Sequence, residues 1–249
     1  MKTKVKICGL NSIEHIETSV KAGAFWYGLI FFDKSPRNIS LKNASYLIKE
    51  TPKNISPVAI VVNPTLDMIK NLIDIGIDTI QLHGSENINL CKKIKNNYKL
   101  KIIKAINIKK SNDILVAQKY TNCVDWILFD STSKSLPGGT GSSFNWAFLN
   151  NKKLKFQWIL SGGLNPNNVG EAINTTQAYA LDVSSGIEIK PGKKSNTLIE
   201  NFTTYGIEVI DISLIPTPLS YFSSKCYKIP NLIMITGSHN PKEYNGLKM

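Results

Sequence analysis

Short runs of β-branched and aromatic residues alternate with longer segments of helical spacing from the first residues to about position 200. The candidate strands are 4–8, 26–32, 57–62, 78–82, 100–106, 124–130, 156–161 and 179–183. Between them, segments such as 65–75 space apolar residues three and four apart, as at Leu66, Ile69, Leu72 and Ile73. Pro64 precedes that segment, and Pro166 opens the one holding Val169 and Ile173, where a fixed φ favours helix initiation. This alternation predicts an α/β fold, a compact (β/α)8 TIM barrel of eight parallel strands each followed by a helix. The competing architecture is an open doubly wound sheet. It usually carries Gly-x-Gly-x-x-Gly after its first strand, and the chain has no such motif there.

A barrel presents its chemistry at the C-terminal ends of its strands. Cys8 ends the first apolar run just before Gly9, and Asp130 ends the run Trp126-Ile127-Leu128-Phe129. A thiol and a carboxyl held this way can take one proton and deliver another. The plainer reading of Cys8 is a small buried hydrophobe, which is what most free cysteines are. Strand seven runs into Ser161-Gly162-Gly163 and strand eight into Asp182-Val183-Ser184-Ser185-Gly186. Late loops rich in glycine and serine can cradle a phosphate with backbone N–H groups. Pro137-Gly138-Gly139-Thr140-Gly141, after Asp130, is glycine-dense enough to approach a ligand or close over it. Any turn can supply one glycine cluster; two at consecutive late strands, beside a thiol and an acid, carry more weight.

Composition narrows the classes. A hydrophobic share of 42% and a charged share of 19% are ordinary for a globular protein. No apolar stretch approaches the roughly 20 residues that span a bilayer, and the opening residues lack a signal-peptide core. A cytoplasmic protein with no membrane partner is expected. Four scattered cysteines (Cys8, Cys91, Cys123, Cys226) and three distant histidines (His15, His83, His239) offer neither a disulfide framework nor metal-ligand spacing. No metal or cofactor is expected. The net charge of +12 comes from lysines spread through helical segments, which reads as solvated faces rather than nucleic-acid binding, and suits a phosphate-bearing substrate. Arg37 is the single arginine among thirty basic residues. It is either a chance survivor on a loop or a planar grip for a carboxylate, which lysine cannot provide.

The motifs Lys6-Ile7-Cys8-Gly9-Leu10, Ser35-Pro36-Arg37, Gln81-Leu82-His83-Gly84, Phe129-Asp130-Ser131, Gly138-Gly139-Thr140-Gly141, Ser161-Gly162-Gly163-Leu164, Asp182-Val183-Ser184-Ser185-Gly186-Ile187-Glu188 and Pro191-Gly192-Lys193-Lys194 occur in this order. Over residues 1 to about 202 the chain thereby resembles the phosphoribosylanthranilate isomerases, (β/α)8 enzymes of tryptophan biosynthesis. The resemblance implies an Amadori rearrangement, an aldose–ketose isomerisation of N-(5-phosphoribosyl)anthranilate, with Asp130 as acid and Cys8 as base. The carboxyl must be protonated when substrate binds, because opening the furanose needs a proton on the ring oxygen. The thiol must lose its proton, so either a depressed Cys8 pKa or proton loss coupled to binding is expected. Arg37 is implied to grip the anthranilate carboxylate, and Gly162, Gly163, Ser184, Ser185 and Gly186 the phosphate. Gln81, His83, Gly139 and Gly141 are implied to line the pocket, His83 in a packing or hydrogen-bonding role.

After about residue 202 the pattern changes. The eighth helix, 196–202, is expected to be truncated, leaving strands eight and one thinly covered. The chain then reads Ile207-Glu208-Val209-Ile210-Asp211, Pro216-Thr217-Pro218 and Met234-Ile235-Thr236-Gly237-Ser238-His239-Asn240-Pro241. Residues 203–249 resemble part of the first domain of the phosphohexomutases (phosphomannomutase/phosphoglucomutase), and Ser238 matches their phosphoserine. The expectation is a short βαβ-like fragment that does not fold alone and carries no mutase activity, since that family's metal and phosphate clamps are absent from it. An inactive phosphosugar-binding barrel and a mutase fragment are the alternatives to the isomerase. These residues leave the oligomeric state open.

Overall fold

The computed structural model describes residues 3–131, 144–149, 154–204, 234–236 and 246–248. Gly139, Gly141 and Ser238 lie outside the described residues. The chain divides into two compact units, Met1–Gly206 and Ile207–Met249.

Eight parallel strands close into a barrel in sequence order, β1 pairing with both β2 and β8. They are β1 (Lys4–Cys8), β2 (Trp26–Phe31), β3 (Ser56–Val61), β4 (Thr79–Leu82), β5 (Lys101–Ile108), β6 (Trp126–Ser131), β7 (Trp158–Leu160) and β8 (Ala180–Val183). The helices between them are α1 (Ile13–Lys21), α2 (Leu41–Glu50), α3 (Leu66–Asp74), α4 (Ile88–Tyr98), α5 (Asp113–Gln118) and α6 (Val169–Thr176). Each predicted strand lies within two residues of an observed one at either end, because a buried barrel strand is apolar on both faces and ends where polar turn residues begin. Ser12, Ser40, Thr65 and Asn87 cap α1 to α4, each side-chain oxygen accepting from the N–H three residues on.

Strand alternation separates two cores. Trp26, Val58, Ile60, Ile103, Ala105, Leu128, Ile159 and Ala180 pack with Cys8 in one cluster, and Ile7, Leu29, Val61, Ile80, Phe129 and Leu160 pack in the other with the helices. At the N-terminal end Trp26 and Trp126 meet edge to face at 5.2 Å between ring centroids and close the barrel floor. The open space is therefore at the C-terminal ends.

Between β8 and the last helix the chain makes a small antiparallel pair, β9 (Glu188–Lys190) with β10 (Lys193–Lys194), which the alternation did not foretell. The last helix, α7 (Asn196–Thr203), is short but covers its strands: Ile199 and Phe202 are buried in the outer core with Leu181 of β8 and Val5 of β1. It packs on α1, and Ser195 caps it. In the second unit, β11 (Met234–Thr236) and β12 (Gly246–Lys248) form an antiparallel pair, Ile235 opposite Leu247. Among the described residues no helix is long and apolar enough to cross a membrane.

Phe202, 1% exposed, is the main apolar anchor of α7. Phe202→Ala is expected to destabilise the barrel by about 3–5 kcal/mol in denaturant unfolding, as truncation of a buried aromatic does. A loss below about 1 kcal/mol would show that α7 is not part of the core.

Candidate active site

The C-terminal strand ends surround a cavity of about 630 Å³ including its mouth. Cys8 of β1 and Asp130 of β6 both line it, 5% and 2% exposed. The two strands stand three places apart in the ring of eight, so thiol and carboxyl face one space from different walls. Gly28 on β2, paired with Cys8, makes room for the sulfur: a Cβ there would lie 3.0 Å from Sγ and 2.8 Å from Ile60 Cδ1. Arg37, Gln81 and His83 line the same cavity, joined by Ser161, Asp182 and Ser184.

Asp130 is held on both oxygens. Oδ1 accepts the Ser131 N–H at 2.8 Å, and Oδ2 lies 3.2 Å from His83 Nε2. His83 Nδ1 in turn lies 2.8 Å from Gln81 Nε2, while Gln81 Oε1 is buried with no partner. These positions serve two protonation states. With Gln81 Nε2 donating to Nδ1, the Nε2–H of His83 donates to an ionised Asp130. With the Gln81 amide turned over, Oε1 accepts from Nδ1–H, and Nε2 accepts from a protonated Asp130.

A second network runs from Arg37 to Cys8. Arg37 Nε and Nη2 donate to the two Glu188 oxygens, each at 2.7 Å. Lys194 Nζ donates to Glu188 Oε1 at 2.8 Å, to the Ser184 carbonyl at 2.8 Å and to Ser184 Oγ at 3.2 Å. Ser184 Oγ donates to the Cys8 carbonyl at 3.1 Å. One edge of the guanidinium is thus fixed by Glu188. That pairing engages Nε and Nη2.

The loops after β7 and β8 are drawn tight by glycine. Gly162 and Gly163 have φ of +89° and +68°, and a Cβ on Gly162 would sit 2.6 Å from the Ser131 nitrogen. A Cβ on Gly186 would overlap the Leu164 carbonyl oxygen. Asn168 Nδ2 donates to the Gly163 carbonyl at 2.9 Å and pins the first loop. Gly162, Gly163, Ser184, Ser185 and Gly186 therefore belong to adjacent loops after adjacent strands.

Charge balance decides the ionisation states. Burial pushes the Cys8 thiol up, and the nearby Lys6 and Lys194 only partly offset it. A depressed thiol in the ligand-free protein is thus not what the structure has. Proton loss coupled to binding remains. Burial alone would raise the Glu188 carboxyl, but its bonds to Arg37 and Lys194 outweigh that and hold it below the usual range. Burial lowers Lys194, with Glu188 opposing. Among the described residues no cluster of His, Cys, Asp and Glu has the arrangement of a metal site.

Sequence reasoning passed over Lys6, Glu188 and Lys194. Lys6 had a signal, a charge two residues before Cys8 on one strand and so on the same inward face. Glu188 and Lys194 meet only through the β9–β10 turn, which no periodicity marks. Glu188→Gln leaves Arg37 and Lys194 without their buried counter-charge and should cost about 3 kcal/mol at neutral pH. Because the folded carboxyl titrates low, that contribution is present above the ordinary carboxylate range and lost as pH falls through the folded value. Unfolding curves of the two proteins should therefore converge on acidification; a pH-independent gap would contradict the assignment.

Comparison with known proteins agrees with this geometry. The family model for N-(5'-phosphoribosyl)anthranilate (PRA) isomerase matches residues 5–204. The isomerase of Parvibaculum lavamentivorans is 41% identical over 208 residues, covering 81% of this chain and 97% of that protein. That of Zymomonas mobilis is 37% identical over 204 residues, covering 81% and 97%. The Thermotoga maritima isomerase structure superposes with a TM-score of 0.75 at 34% identity, covering 83% of this chain and all of that one (100%). A phosphoribosyl anthranilate isomerase bound to reduced 1-(o-carboxyphenylamino)-1-deoxyribulose 5-phosphate gives 0.73 at 33% identity, with coverage of 83% and 100%. Residues 193–249 match the model of phosphoglucomutase/phosphomannomutase α/β/α domain I, which overlaps the first match across α7. With its barrel matched from β1 to α7, the chain belongs to the N-(5'-phosphoribosyl)anthranilate isomerase family.

Proposed function

We propose that the barrel converts N-(5-phosphoribosyl)anthranilate to 1-(2-carboxyphenylamino)-1-deoxy-D-ribulose 5-phosphate in tryptophan biosynthesis, without metal or cofactor. One observation carries this reading: Cys8 and Asp130, both buried, line one cavity that also receives Arg37 and, from the ends of β7 and β8, Ser161 and Ser184. In the proposed sequence, Asp130 delivers a proton to the furanose ring oxygen and the C1–O bond breaks as the anthranilate nitrogen lone pair forms the C1=N⁺ iminium. The positive charge makes the C2 proton acidic, and the Cys8 thiolate removes it. The enolamine formed becomes the ketone by protonation at C1 and loss of the C2 hydroxyl proton. His83 stays bonded to Asp130 while it changes from acid to carboxylate, in the two arrangements described above. We assign the phosphate to Gly162, Gly163, Ser184, Ser185 and Gly186, and the anthranilate carboxylate to the donors of Arg37 that Glu188 leaves uncommitted.

We divide the chain at the end of the barrel: residues 1–202 carry the isomerisation, and residues 203–249 take no part in it. Three buried free thiols, Cys8, Cys91 and Cys123, support residence in the reducing cytoplasm.

Arg37→Lys keeps the charge but loses the planar fork, so KM is expected to rise roughly tenfold or more with kcat nearly unchanged. A KM that moves less than about twofold would remove Arg37 from carboxylate binding. In a tryptophan auxotroph lacking the isomerase step, the chain and its Ser238→Ala variant should restore growth. Cys8→Ala and Asp130→Asn should each reduce turnover by about 10²–10⁴, the usual worth of a general acid or base. Full rescue by either would overturn its role.

A further inference from the structure

Directly beneath Cys8 the barrel holds a charged pair that the reaction as drawn above does not use. Lys6 precedes Cys8 by two positions on β1, so both side chains point inward, one above the other. Lys6 is fully buried, with its Nζ 2.7 Å from Asp182 Oδ1 across the β1–β8 seam. The other oxygen of Asp182 accepts from Ser161 Oγ at 3.1 Å. Asp182 and Ser161 themselves line the cavity.

This pair has no packing reason to be there. The interior layers of such barrels are filled by branched apolar side chains, and Val58, Ile103, Leu128 and Ile159 do so here. A buried ion pair adds little stability over an apolar pair of similar volume, because desolvation offsets the attraction. What it does supply is fixed direction. Asp182 and the seam hold the ammonium in place on the strand of the thiol that must become an anion to act as the base.

Resting on the reading of Cys8 as the base, we propose that Lys6 is the positioning residue for its thiolate, a counter-ion held under the sulfur by Asp182 and Ser161. The charged groups acting on the Cys8 sulfur are Lys6 on its own strand, Asp182 on β8, Lys194 on β10 and Arg37 after β2; Asp130 and His83 line the cavity with it. Of these, Lys6 opposes the burial penalty most strongly, and Asp182 weakens it less than Lys6 strengthens it. Cys8 and Asp182 together keep Lys6 itself protonated against burial. When the thiol releases its proton to solvent, the anion formed meets an ammonium already in place. When the thiolate then takes the substrate's C2 proton, the Lys6–Asp182 pair is left neutral overall, as before.

The test reads the thiol directly. Carboxamidomethylation of Cys8 by neutral iodoacetamide at one fixed pH, followed by peptide mass mapping, tracks the thiolate fraction, in which one pKa unit is tenfold. Lys6→Met in the full chain should slow labelling at Cys8 by roughly tenfold, and slow kcat with KM little changed. Because Lys6→Met leaves Asp182 unpaired, Lys6→Met/Asp182→Asn serves as a neutral partner variant that keeps the volume; labelling should slow there too, by a smaller factor. A merely structural role gives the opposite sign, since a loosened barrel exposes the thiol and speeds labelling. Unchanged or faster labelling in a folded variant overturns the proposal. Undiminished turnover in Cys8→Ala would instead overturn the reading of the base while leaving slowed labelling in Lys6→Met intact, so the two failures are distinct.

Discussion

The pairing of β8 with β1 is the constraint on which the rest depends. It turns a twisted sheet into a closed ring and sets Lys6 opposite Asp182 in register. From that seam a chain of contacts leads into the cavity. Cys8 stands above Lys6, Ser184 donates to the Cys8 carbonyl, and Lys194 holds Ser184 and Glu188 together. Glu188 then fixes Arg37, which reaches in from the loop after β2. The last helix lies over the same seam, with Ile199 and Phe202 in the outer core. The pairing that closes the barrel thus also carries one wall of the cavity.

The two groups proposed to transfer protons, Asp130 and Cys8, sit in different surroundings. Asp130 is gripped through His83 and the Ser131 N–H, contacts that tolerate either protonation state by a turn of the Gln81 amide. Cys8 is buried, and its thiol is pushed up in spite of two nearby ammonium groups. Burial thus favours the protonated thiol in the ligand-free protein. In the proposed reaction, the iminium charge that forms on ring opening, in a cavity of low dielectric, shifts that balance toward the thiolate. Holding the base silent until the cationic intermediate is present fits a reaction whose second step needs the product of the first.

Much of this was legible in the residues. A strand buried on both faces leaves an unbroken apolar run, so the eight runs marked the barrel closely, and Cys8 and Asp130 were visible as polar groups ending two of them. The glycine loops could be read because left-handed or crowded backbone admits little else, as Gly162 and Gly186 illustrate. The Arg37–Glu188–Lys194 cluster was not legible. Its members lie in loops and a two-residue strand, where side chains meet by tertiary path rather than by period. Lys6 lay between these cases. Its inward position followed from strand alternation, but its partner Asp182 is set only by the register of the closing pair.

A crystal structure of this chain with the reduced product analogue 1-(o-carboxyphenylamino)-1-deoxyribulose 5-phosphate tests the central claim most directly. The account predicts the Cys8 sulfur and an Asp130 oxygen on opposite sides of the sugar chain, with the sulfur within about 3.5 Å of the carbon that loses its proton. The phosphate should rest on the loops of Gly162 and Gly186. A sugar bound with that carbon turned from the sulfur, or a phosphate held elsewhere, would contradict it.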